Sequence, residues 1–398
     1  MGPPSTTTNC SLDRAGQFDG DLCGSILLNG GVNAGHYFRI ALLSHWFSVT
    51  RSVAGKQAGE SLFTNKVVGT FTLYRRTTRK YLLANSFNQL PVRVFAVIVL
   101  YKMLPSESAA FGTLRAAISH VQRGKTDIKI VLYDNTPGGQ DVEALPADVQ
   151  YKADVDNGGL SNAYNYSLEI ASENGFDWLL TLDQDTVLPV DFLCKLCDAI
   201  TFVAPLNAVA AIVPEVYSDG LVISPSIPLK YWAIWRHFPA GFVGISTEKL
   251  TLAVNSASTY RVSALRNIGG YDPRYWMDFS DVLMYHRLHE KNFRVYVAGN
   301  IHVEHEASVL DIKNRVSPGR YENIDRAEEA FYDEYLGRIE GMVLLLRLLY
   351  RLVYKLWRAR VALPYFKVGL IFLCRRLFWS RKSRMKNWEQ SVRQESVV

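Results

Sequence analysis

The amino-acid sequence predicts an α/β fold built on a mostly parallel, doubly wound sheet. Short runs rich in β-branched and other apolar residues alternate with segments whose apolar residues recur at helical spacing. This alternation is typical of a parallel sheet with helices on both faces. The first run, residues 92–103, is almost entirely apolar, as in a strand that is buried on both faces. Ligands bind such sheets outside the carboxyl ends of the strands, so polar residues at predicted strand ends are the first candidates for a site.

The elements follow one another at the spacing that strand–helix–strand units require. Ser106 and Glu107 offer a helix cap and an acidic first turn, and Gly269–Gly270 ends a later helix. The predicted strands are residues 92–103, 127–135, 149–157, 178–182, 209–216, one beginning at Leu250, and 293–299. The predicted helices are residues 111–121, 160–174, one beginning at Pro189, 262–268, and one after Asp281.

Composition divides the chain into three parts. Residues 1–90 are rich in Gly, Ser, Thr and Asn and have poor periodicity, which indicates low order. Residues 91–310 carry the predicted sheet, and residues 311–398 are predicted to be helical and basic. At 398 residues the chain is long enough for one large domain or two.

Composition also bounds the cellular setting. The five cysteines are scattered, which argues against a disulfide framework and favours a reducing compartment. Cys194 and Cys197 have no second pair nearby, so packing thiols are favoured over a zinc site. The sequence shows neither the pattern of a signal peptide nor a run of about 18 uncharged apolar residues, so we expect no membrane-spanning helix.

Two carboxylates follow the apolar strand at residues 178–182. Asp183 and Asp185 are two residues apart, so in an extended chain they point the same way, about 7 Å from each other. Unpaired anions there repel each other and resist desolvation, and a hard divalent cation resolves that conflict. A solvated acidic turn is the alternative for an Asp-x-Asp pattern taken alone. The parallel sheet, however, brings other strand-end residues to the same edge: Tyr101, Asp134, Asn135 and Asn157.

A second group of candidate residues lies further along the chain. Asp278 and Asp281 precede a predicted helix, where the helix dipole favours a carboxylate, but capping explains only one of the two. His302 and His305 follow the last predicted strand. The segment at residues 218–244 instead holds aromatic residues among Pro and Gly, and a packed connection is favoured over a mobile flap.

The C-terminal segment differs from the rest in charge. Residues 338–386 hold 13 Lys or Arg residues against one acid. Arg347, Arg351, Lys355 and Arg358 recur at three- and four-residue spacing, so they form a basic stripe on an otherwise apolar helix. This pattern predicts a helix in a membrane interface, where each basic residue near anionic lipid contributes about 1 kcal/mol. A helix docked on the sheet domain is one alternative, and a nucleic-acid surface is disfavoured because no nucleic-acid motif is present.

Several short segments between about residues 92 and 310 occur in a specific order. They are Val94–Tyr101, Tyr133-Asp134-Asn135, Asn157-Gly158-Gly159-Leu160-Ser161-Asn162-Ala163 with Asn165, Asp183-Gln184-Asp185-Thr186, Ile268-Gly269-Gly270-Tyr271-Asp272, Asp278-x-x-Asp281 with Arg287, and His305. Each segment is weakly specific, whereas the ordered set is specific. Together they resemble a family 2 glycosyltransferase with the GT-A fold, a nucleotide-diphospho-sugar transferase fold, in its rhamnosyltransferase-like branch.

The resemblance implies where a nucleotide-sugar donor would bind. Tyr101 and Asp134 would line the pocket of the nucleotide base, with Asn135 beside them. Asn157 and Gly158 would contact the sugar of the nucleotide.

The resemblance also implies a metal site and a general base. Asp183 and Asp185 would flank a metal–diphosphate, with Asp185 as the direct ligand and His305 close to the metal or diphosphate. Asp281 would be the general base and Asp278 its neighbouring acid. The implied cofactor is Mg²⁺ or Mn²⁺.

The implied function is metal-dependent, inverting transfer of a sugar, with rhamnose as the sugar of this branch. The donor would be a nucleoside-diphosphate sugar, and the acceptor a glycan or lipid-linked molecule in cell-surface polysaccharide synthesis. The protein would be cytoplasmic and held at the cytoplasmic face of the membrane by its basic helix. The sequence departs from the family pattern at Ala257, where a glycine is usual, and at residues 282–286, where acidic and aromatic residues are usual.

Four other functions were weighed on the same residues. A nucleotidyltransferase would carry a Gly-rich phosphate loop after the first strand, where this chain offers only Lys102. A Rossmann dehydrogenase would carry G-x-G-x-x-G there, which is missing. Metal-assisted hydrolysis would use His286, His289, His302 and His305, although isolated histidines are more often structural. A non-catalytic, membrane-associated protein that binds sugar nucleotides remains an alternative.

Overall fold

The computed structural model describes residues 91–121, 126–246, 249–307, 315–358 and 363–395. The low order expected for residues 1–90 lies outside the described residues. Eleven strands are described: β1 (Val92–Leu100), β2 (Thr126–Asp134), β3 (Val149–Ala153), β4 (Trp178–Asp183), β5 (Val209–Ser218), β6 (Leu221–Ser224), β7 (Ser226–Leu229), β8 (Ile234–His237), β9 (Val243–Ile245), β10 (Ser258–Arg261) and β11 (Arg294–Glu304).

Nine of these strands form one mostly parallel sheet, in the order β3-β2-β1-β4-β10-β5-β11-β9 with β6 paired to β5. β1 pairs in parallel with β2 on one side and β4 on the other, and β5 pairs in parallel with β11. The predicted mixed α/β fold with a mostly parallel sheet is therefore confirmed. β7 and β8 form a separate two-stranded ribbon.

β10 is the antiparallel strand that joins the two parallel parts of the sheet. It pairs with β4 and β5 in the opposite direction, starting at Ser258. The strand predicted to begin at Leu250 is wrong, because Leu252 makes only an isolated bridge to Ser226 and the chain turns before β10. Ala257 in this turn adopts a left-handed backbone, with φ 62°, a conformation that glycine adopts at lower cost.

Nine helices cover the sheet and continue beyond it, counting described residues only. They are α1 (Ala109–His120), α2 (Gly159–Glu173), α3 (Phe192–Val203), α4 (Val262–Ile268), α5 (Ser280–Glu290), α6 (Pro318–Tyr335), α7 (Arg338–Arg358), α8 (Leu363–Phe378) and α9 (Arg381–Glu395).

The two faces of the sheet bury two hydrophobic cores, as the doubly wound prediction requires. Alternate residues of β1 point to opposite faces, so Val97 belongs to one core and Ile98 to the other. The core around Ile98 is closed by α1 and α3, through side chains such as Leu114 and Leu193. The core around Val97 is closed by α2, α4 and α5 and extends into α6–α9, as far as Trp388.

Helix α6 carries four buried acids that hold the C-terminal helices in place. Glu328 pairs with Arg347 and Arg351 of α7, and Asp333 pairs with Arg376 of α8 and Arg384 of α9. The other two acids are Asp325 and Glu329.

The prediction of an exposed basic stripe is therefore wrong for its first two members. Arg347 and Arg351 lie against α6 because its buried carboxylates require cationic partners. The spacing of the basic residues along α7 does not show whether their side of the helix faces solvent or these carboxylates. Lys355 and Arg358 lie outside the described side chains. Among the described helices, none has the length and apolar character needed to cross a membrane.

The aromatic segment at residues 218–244 is packed for the most part. Trp232 is buried and its ring contacts Trp235, His286 and Phe331, at centroid distances of 5.9, 6.3 and 5.2 Å. The favoured interpretation of this segment is confirmed for Trp232. Cys197 is also a packing thiol, with its Sγ 3.2 Å from the Thr126 hydroxyl.

Candidate active site

Asp183 ends β4, and two hydroxyl groups orient its carboxylate. Tyr164 of α2 donates its O–H to Oδ1 over 3.2 Å, and Ser256 in the turn before β10 donates to Oδ2. Burial raises the pKa of the Tyr164 phenol well above its ordinary value, so this side chain remains a donor. Asp183 is thereby fixed while its side chain stays 25% exposed.

His305, just after β11, brings a third group to the same point. Its Nδ1 lies 3.0 Å from Asp185 Oδ1, and its Nε2 lies 3.7 Å from Asp183 Oδ2. Burial lowers the pKa of His305, but the carboxylates of Asp185 and Asp183 outweigh it and raise the pKa above its ordinary value. The imidazole is therefore protonated more readily than an ordinary histidine, and it links the two carboxylates.

Asp281 lies in the first turn of α5, and its environment favours the neutral acid. Burial is the main cause that raises the pKa of Asp281 to about 6, and the negative charges of Asp183 and Asp278 raise it further. Its Oδ1 accepts a hydrogen bond from the backbone N–H of Val282 over 2.7 Å. A carboxylate with a pKa near neutrality suits general-base chemistry, and the repulsion shows that Asp281 stands within electrostatic reach of the β4 end.

Asp278 is occupied by a partner from the C-terminal helices. Arg320 in the first turn of α6 donates from a guanidinium N–H to Asp278 Oδ1 over 3.0 Å. Burial raises the pKa of Asp278, and Arg320 offsets only part of that effect. Asp278 thus joins α6 to the segment that precedes α5, close to Asp281.

The ends of β1 and β2 form the opposite side of this edge. Asp134 is fully buried, and its carboxylate accepts from the backbone N–H of Thr136 and the side chains of Gln140 and Tyr151. Burial raises the pKa of Asp134, but these hydrogen bonds outweigh it and lower the pKa below its ordinary value. Asn135 beside it has a buried Oδ1 without a hydrogen-bond partner among the described residues. Such an atom is a candidate acceptor for a ligand.

The turn between β3 and α2 carries Asn157 and Gly158. Asn157 has a left-handed backbone, with φ 55°. Asp154 Oδ2 accepts from the backbone N–H of Gly158 over 3.1 Å and from the Tyr133 hydroxyl over 2.7 Å. A Cβ at Gly158 would lie 2.7 Å from that same oxygen and closer still to the Asn162 amide, so a larger residue would displace these two side chains. Tyr101 follows β1, two strands away from β3 in the sheet, and 42% of its surface is exposed.

The structure brings the sequence-predicted residues to one edge of the sheet, in two groups. Asp183, Asp185 and His305 are in mutual contact, and Asp281 is within electrostatic reach of them. Asp134, Asn135, Asn157, Gly158 and Tyr101 lie at the ends of the neighbouring strands β1, β2 and β3.

Sequence reasoning missed four residues of this site. Ser256 precedes β10 in a polar turn, and this polar context was the only sequence feature that pointed to it. Tyr164 has the spacing of a core residue in α2. Asp154 stands four residues before Gly158, a spacing at which an aspartate can accept from a turn N–H. Arg320 lies 42 residues after Asp278, and no local pattern connects the two.

Chemically, the edge holds oxygen and imidazole donors that suit a divalent cation. Carboxylates and imidazole are ordinary ligands of Mn²⁺, and carboxylates of Mg²⁺. Within the described ranges, no three His, Cys, Asp or Glu side chains already surround a metal-sized space. Asp183, Asp185 and His305 pair with one another instead, and a cation could replace the His305 proton in neutralising the two carboxylates.

Comparison with known proteins gives likenesses in structure only. No protein-family model matches the chain, and no curated protein matches it by sequence. GalNAc-T7 with UDP, GalNAc and Mn²⁺ is similar at 14% identity and a TM-score of 0.43, over 77% of this chain. The chain spans 58% of that protein, which is less than two thirds of its length.

Two other solved structures cover more of their own length. TarS of S. aureus, residues 1–349 with UDP-GlcNAc, has 14% identity and a TM-score of 0.43 over 76% of this chain and 90% of TarS. The mannosyltransferase PcManGT of Pyrobaculum calidifontis, with GDP-Man and Mn²⁺, has 12% identity and a TM-score of 0.40 over 84% and 96%. TM-scores below 0.5 do not assign an activity to this chain.

Proposed function

We propose that the protein is a metal-dependent glycosyltransferase of the GT-A type, which transfers a sugar from a nucleoside-diphosphate donor. One observation carries the proposal. Asp183, Asp185 and His305 meet at the carboxyl edge of the sheet, and a separate carboxylate with a raised pKa, Asp281, stands close by. Sugar transfer needs both parts, because the leaving diphosphate gains negative charge while the acceptor loses a proton.

The donor would lie along the strand ends. Asn135, whose Oδ1 has no hydrogen-bond partner in the part of the chain that the structure describes, and the exposed ring of Tyr101 would contact the base. Asp134 would support the base pocket indirectly, because its carboxylate accepts hydrogen bonds from Thr136 and Tyr151 and so fixes their positions. The turn at Asn157 and Gly158, which is half-buried at the end of β3, would contact the nucleotide sugar.

The diphosphate would lie at Asp183 and Asp185. A Mg²⁺ or Mn²⁺ ion held by Asp185, Asp183 and His305 would supply the positive charge that neutralises the departing diphosphate. Tyr164 and Ser256 would keep the Asp183 carboxylate oriented, because both donate to it. Asp185 is 32% exposed and pairs, among the described residues, with His305 alone, so it is the more available ligand of the two aspartates.

Asp281 would act as the base. Its ionised carboxylate accepts the acceptor's hydroxyl proton as the oxygen bonds to the anomeric carbon, and the bond from that carbon to the diphosphate oxygen breaks. A single displacement of this kind inverts the configuration at the anomeric carbon. Asp278 would help to keep the pKa of Asp281 raised by charge repulsion while it pairs with Arg320.

Family 2 membership, rhamnose as the sugar and a glycan or lipid-linked acceptor of cell-surface polysaccharide synthesis complete the proposal. They are supported by the ordered segments between residues 92 and 310. A lipid-linked acceptor places the protein at the cytoplasmic face of the membrane, as a peripheral protein.

The test is a panel of nucleotide sugars, each titrated into the protein calorimetrically with Mn²⁺ and again with EDTA. We expect at least one member to bind only with Mn²⁺, and Asp185→Ala to weaken that binding by about 100-fold or more. Asp191→Ala, an exposed aspartate before α3, is the control and should bind as wild type does. Absence of metal-dependent binding for every member would refute the proposal, and binding without transfer to any acceptor would leave a sugar-nucleotide-binding protein.

A further inference from the structure

One face of helix α7 exposes a continuous row of large apolar side chains. Ile339, Met342, Leu346, Leu349 and Val353 are 47, 58, 62, 46 and 53% exposed. Their spacing of three and four residues places them on a single side of the helix. A monomeric protein rarely leaves such a row in water, because large apolar side chains are stabilised by burial.

The opposite side of α7 is the side that is docked. Leu344, Leu348 and Leu352 belong to the hydrophobic core, and Arg347 and Arg351 pair with the acids of α6. The helix therefore holds its central arginines inward and its apolar row outward. This is the reverse of an ordinary surface helix, whose charged side faces water.

Helix α8 lies against α7 and exposes apolar residues of its own. Leu370 and Ile371 are 42 and 51% exposed. At the end of α8, Leu377, Phe378 and Trp379 are 54, 79 and 44% exposed. The apolar row of α7 together with these five residues of α8 and its end is called the apolar face below.

Four exposed basic residues lie close in sequence to the apolar face and are called its basic border. Arg338 at the start of α7, Lys367 on α8, and Lys382 and Lys386 on α9 are exposed. Helix α8 contains no acidic residue and α7 contains only Glu340, which is half-buried. An exposed apolar surface with an exposed Trp and Phe and a basic border matches the interface of an anionic bilayer, where rings sit at headgroup level and lysines meet lipid phosphates.

We propose that the apolar face inserts into the headgroup region of an anionic lipid bilayer, with the basic border against the lipid phosphates. Apolar side chains make the contact with the lipid. The arginines of the predicted stripe instead pair with the acids of α6, which fixes α7 with its apolar row outward. This deepens the membrane location given under the proposed function. Lipid binding is measured without any sugar transfer, so failure of one proposal is distinct from failure of the other.

The test is sedimentation of the full chain with vesicles of phosphatidylcholine containing phosphatidylglycerol. We expect binding that falls with salt and is lost on pure phosphatidylcholine vesicles. Leu346→Gln with Leu349→Gln should weaken binding by about 100-fold, because two exposed leucines no longer enter the lipid. The control pair Val190→Gln with Leu221→Gln changes exposed apolar residues elsewhere and should bind as wild type does.

A second pair of variants separates the apolar contact from charge. Lys367→Gln with Lys382→Gln should weaken binding to the anionic vesicles by about tenfold and remove much of its salt dependence. These residues are exposed, so their circular dichroism and unfolding curves should match wild type.

Two results would overturn the proposal. One is equal vesicle binding by wild type and the Leu346 and Leu349 variant. The other is the absence of vesicle binding together with a wild-type dimer in sedimentation velocity that the same substitutions dissociate, which would make a second copy of the chain the occupant of the apolar face.

Discussion

The acids at the carboxyl edge of the sheet and the acids of helix α6 are neutralised in different ways. Glu328 and Asp333 of α6 have side chains 4% exposed, and each is paired with two arginines. Asp183 and Asp185 are 25 and 32% exposed, and hydroxyl groups and one histidine are their partners among the described residues. In α6, arginines neutralise the buried acids inside the protein. At the sheet edge, part of the negative charge stays exposed and can bind a cationic ligand.

One acid from each region shows a pKa shift in the opposite direction, although burial also raises the pKa of Glu329 in α6, to about 7. Burial raises the pKa of Glu328, but Arg351 and Arg347 outweigh it and lower the pKa below its ordinary value. Burial raises the pKa of Asp281 to about 6, and no guanidinium of the described residues opposes it. An acid whose charge is opposed by burial and by neighbouring carboxylates costs stability when it ionises.

The largest effect is expected for Asp281→Asn. An amide cannot accept the acceptor's proton, so kcat for sugar transfer should fall by about 10²- to 10⁴-fold while donor binding is retained. Transfer from the donor found in the binding panel measures kcat, and calorimetry measures donor binding.

Glu290→Gln, on the same helix but 57% exposed, is the matched control and should transfer as wild type does. Near-normal transfer by a folded Asp281→Asn variant would show that Asp281 is not the base.

On the structural side, Glu328→Gln should lower the free energy of unfolding by about 3 kcal/mol, because it leaves the half-buried Arg347 and Arg351 short of a countercharge. Urea unfolding followed by circular dichroism gives this value. Glu322→Gln, whose side chain on α6 is 35% exposed, should change it by under about 1 kcal/mol. Equal losses for the two variants would mean that the buried pairs do not hold α7 in place.

The smallest expected effect is the pH dependence of transfer. The folded-state pKa of Asp281, about 6, lies above the ordinary value of an aspartate, so the neutral acid is favoured as pH falls. The base is active when ionised, and kcat/KM should therefore fall about tenfold per pH unit below pH 6 and level off above it. A profile that stays flat down to the ordinary pKa range of aspartate would contradict the raised pKa.

The raised pKa of Asp281 also affects the free energy of unfolding, which should fall as pH rises while the transfer rate increases. A raised folded-state pKa stabilises the fold at low pH and is lost as pH rises through about 6. Above that pH, Asp281→Asn should be more stable than wild type by about 1–2 kcal/mol, because a buried charge is removed. Urea unfolding at two pH values measures this difference alongside the kinetic profile.

The sheet and the edge that gathers the site were predictable, because strand and helix periods are local. The run at residues 92–103 and the strand at residues 178–182 needed only their apolar pattern, and the end of each strand then located Asp134 and Asp183. The antiparallel β10 was not predictable, since its direction depends on the turn at Ala257, which places a non-glycine residue at φ 62°.

The partners of the site residues could not be predicted from local sequence patterns either, because they are distant in sequence. Ser256 and His305 reach Asp183 across 73 and 120 or more residues of sequence only because β10 and β11 return to the same sheet. The inward direction of Arg351 follows from the acids of α6, 23 residues earlier, and helical spacing cannot show which face meets them. Sequence located the charges, and tertiary packing decided which of them were paired.

The account depends most on Asp185 meeting a metal-bound diphosphate, and thermal unfolding tests this directly. Wild type, Asp185→Ala and Glu328→Gln are each heated alone and with Mn²⁺ plus UDP, GDP or dTDP. At about 100 times Kd, a ligand adds about 2.7 kcal/mol. We therefore predict a clear rise in Tm with one nucleotide for wild type and for the less stable Glu328→Gln, and none for Asp185→Ala. An equal rise in Asp185→Ala, or a rise that persists when EDTA replaces Mn²⁺, would contradict the account.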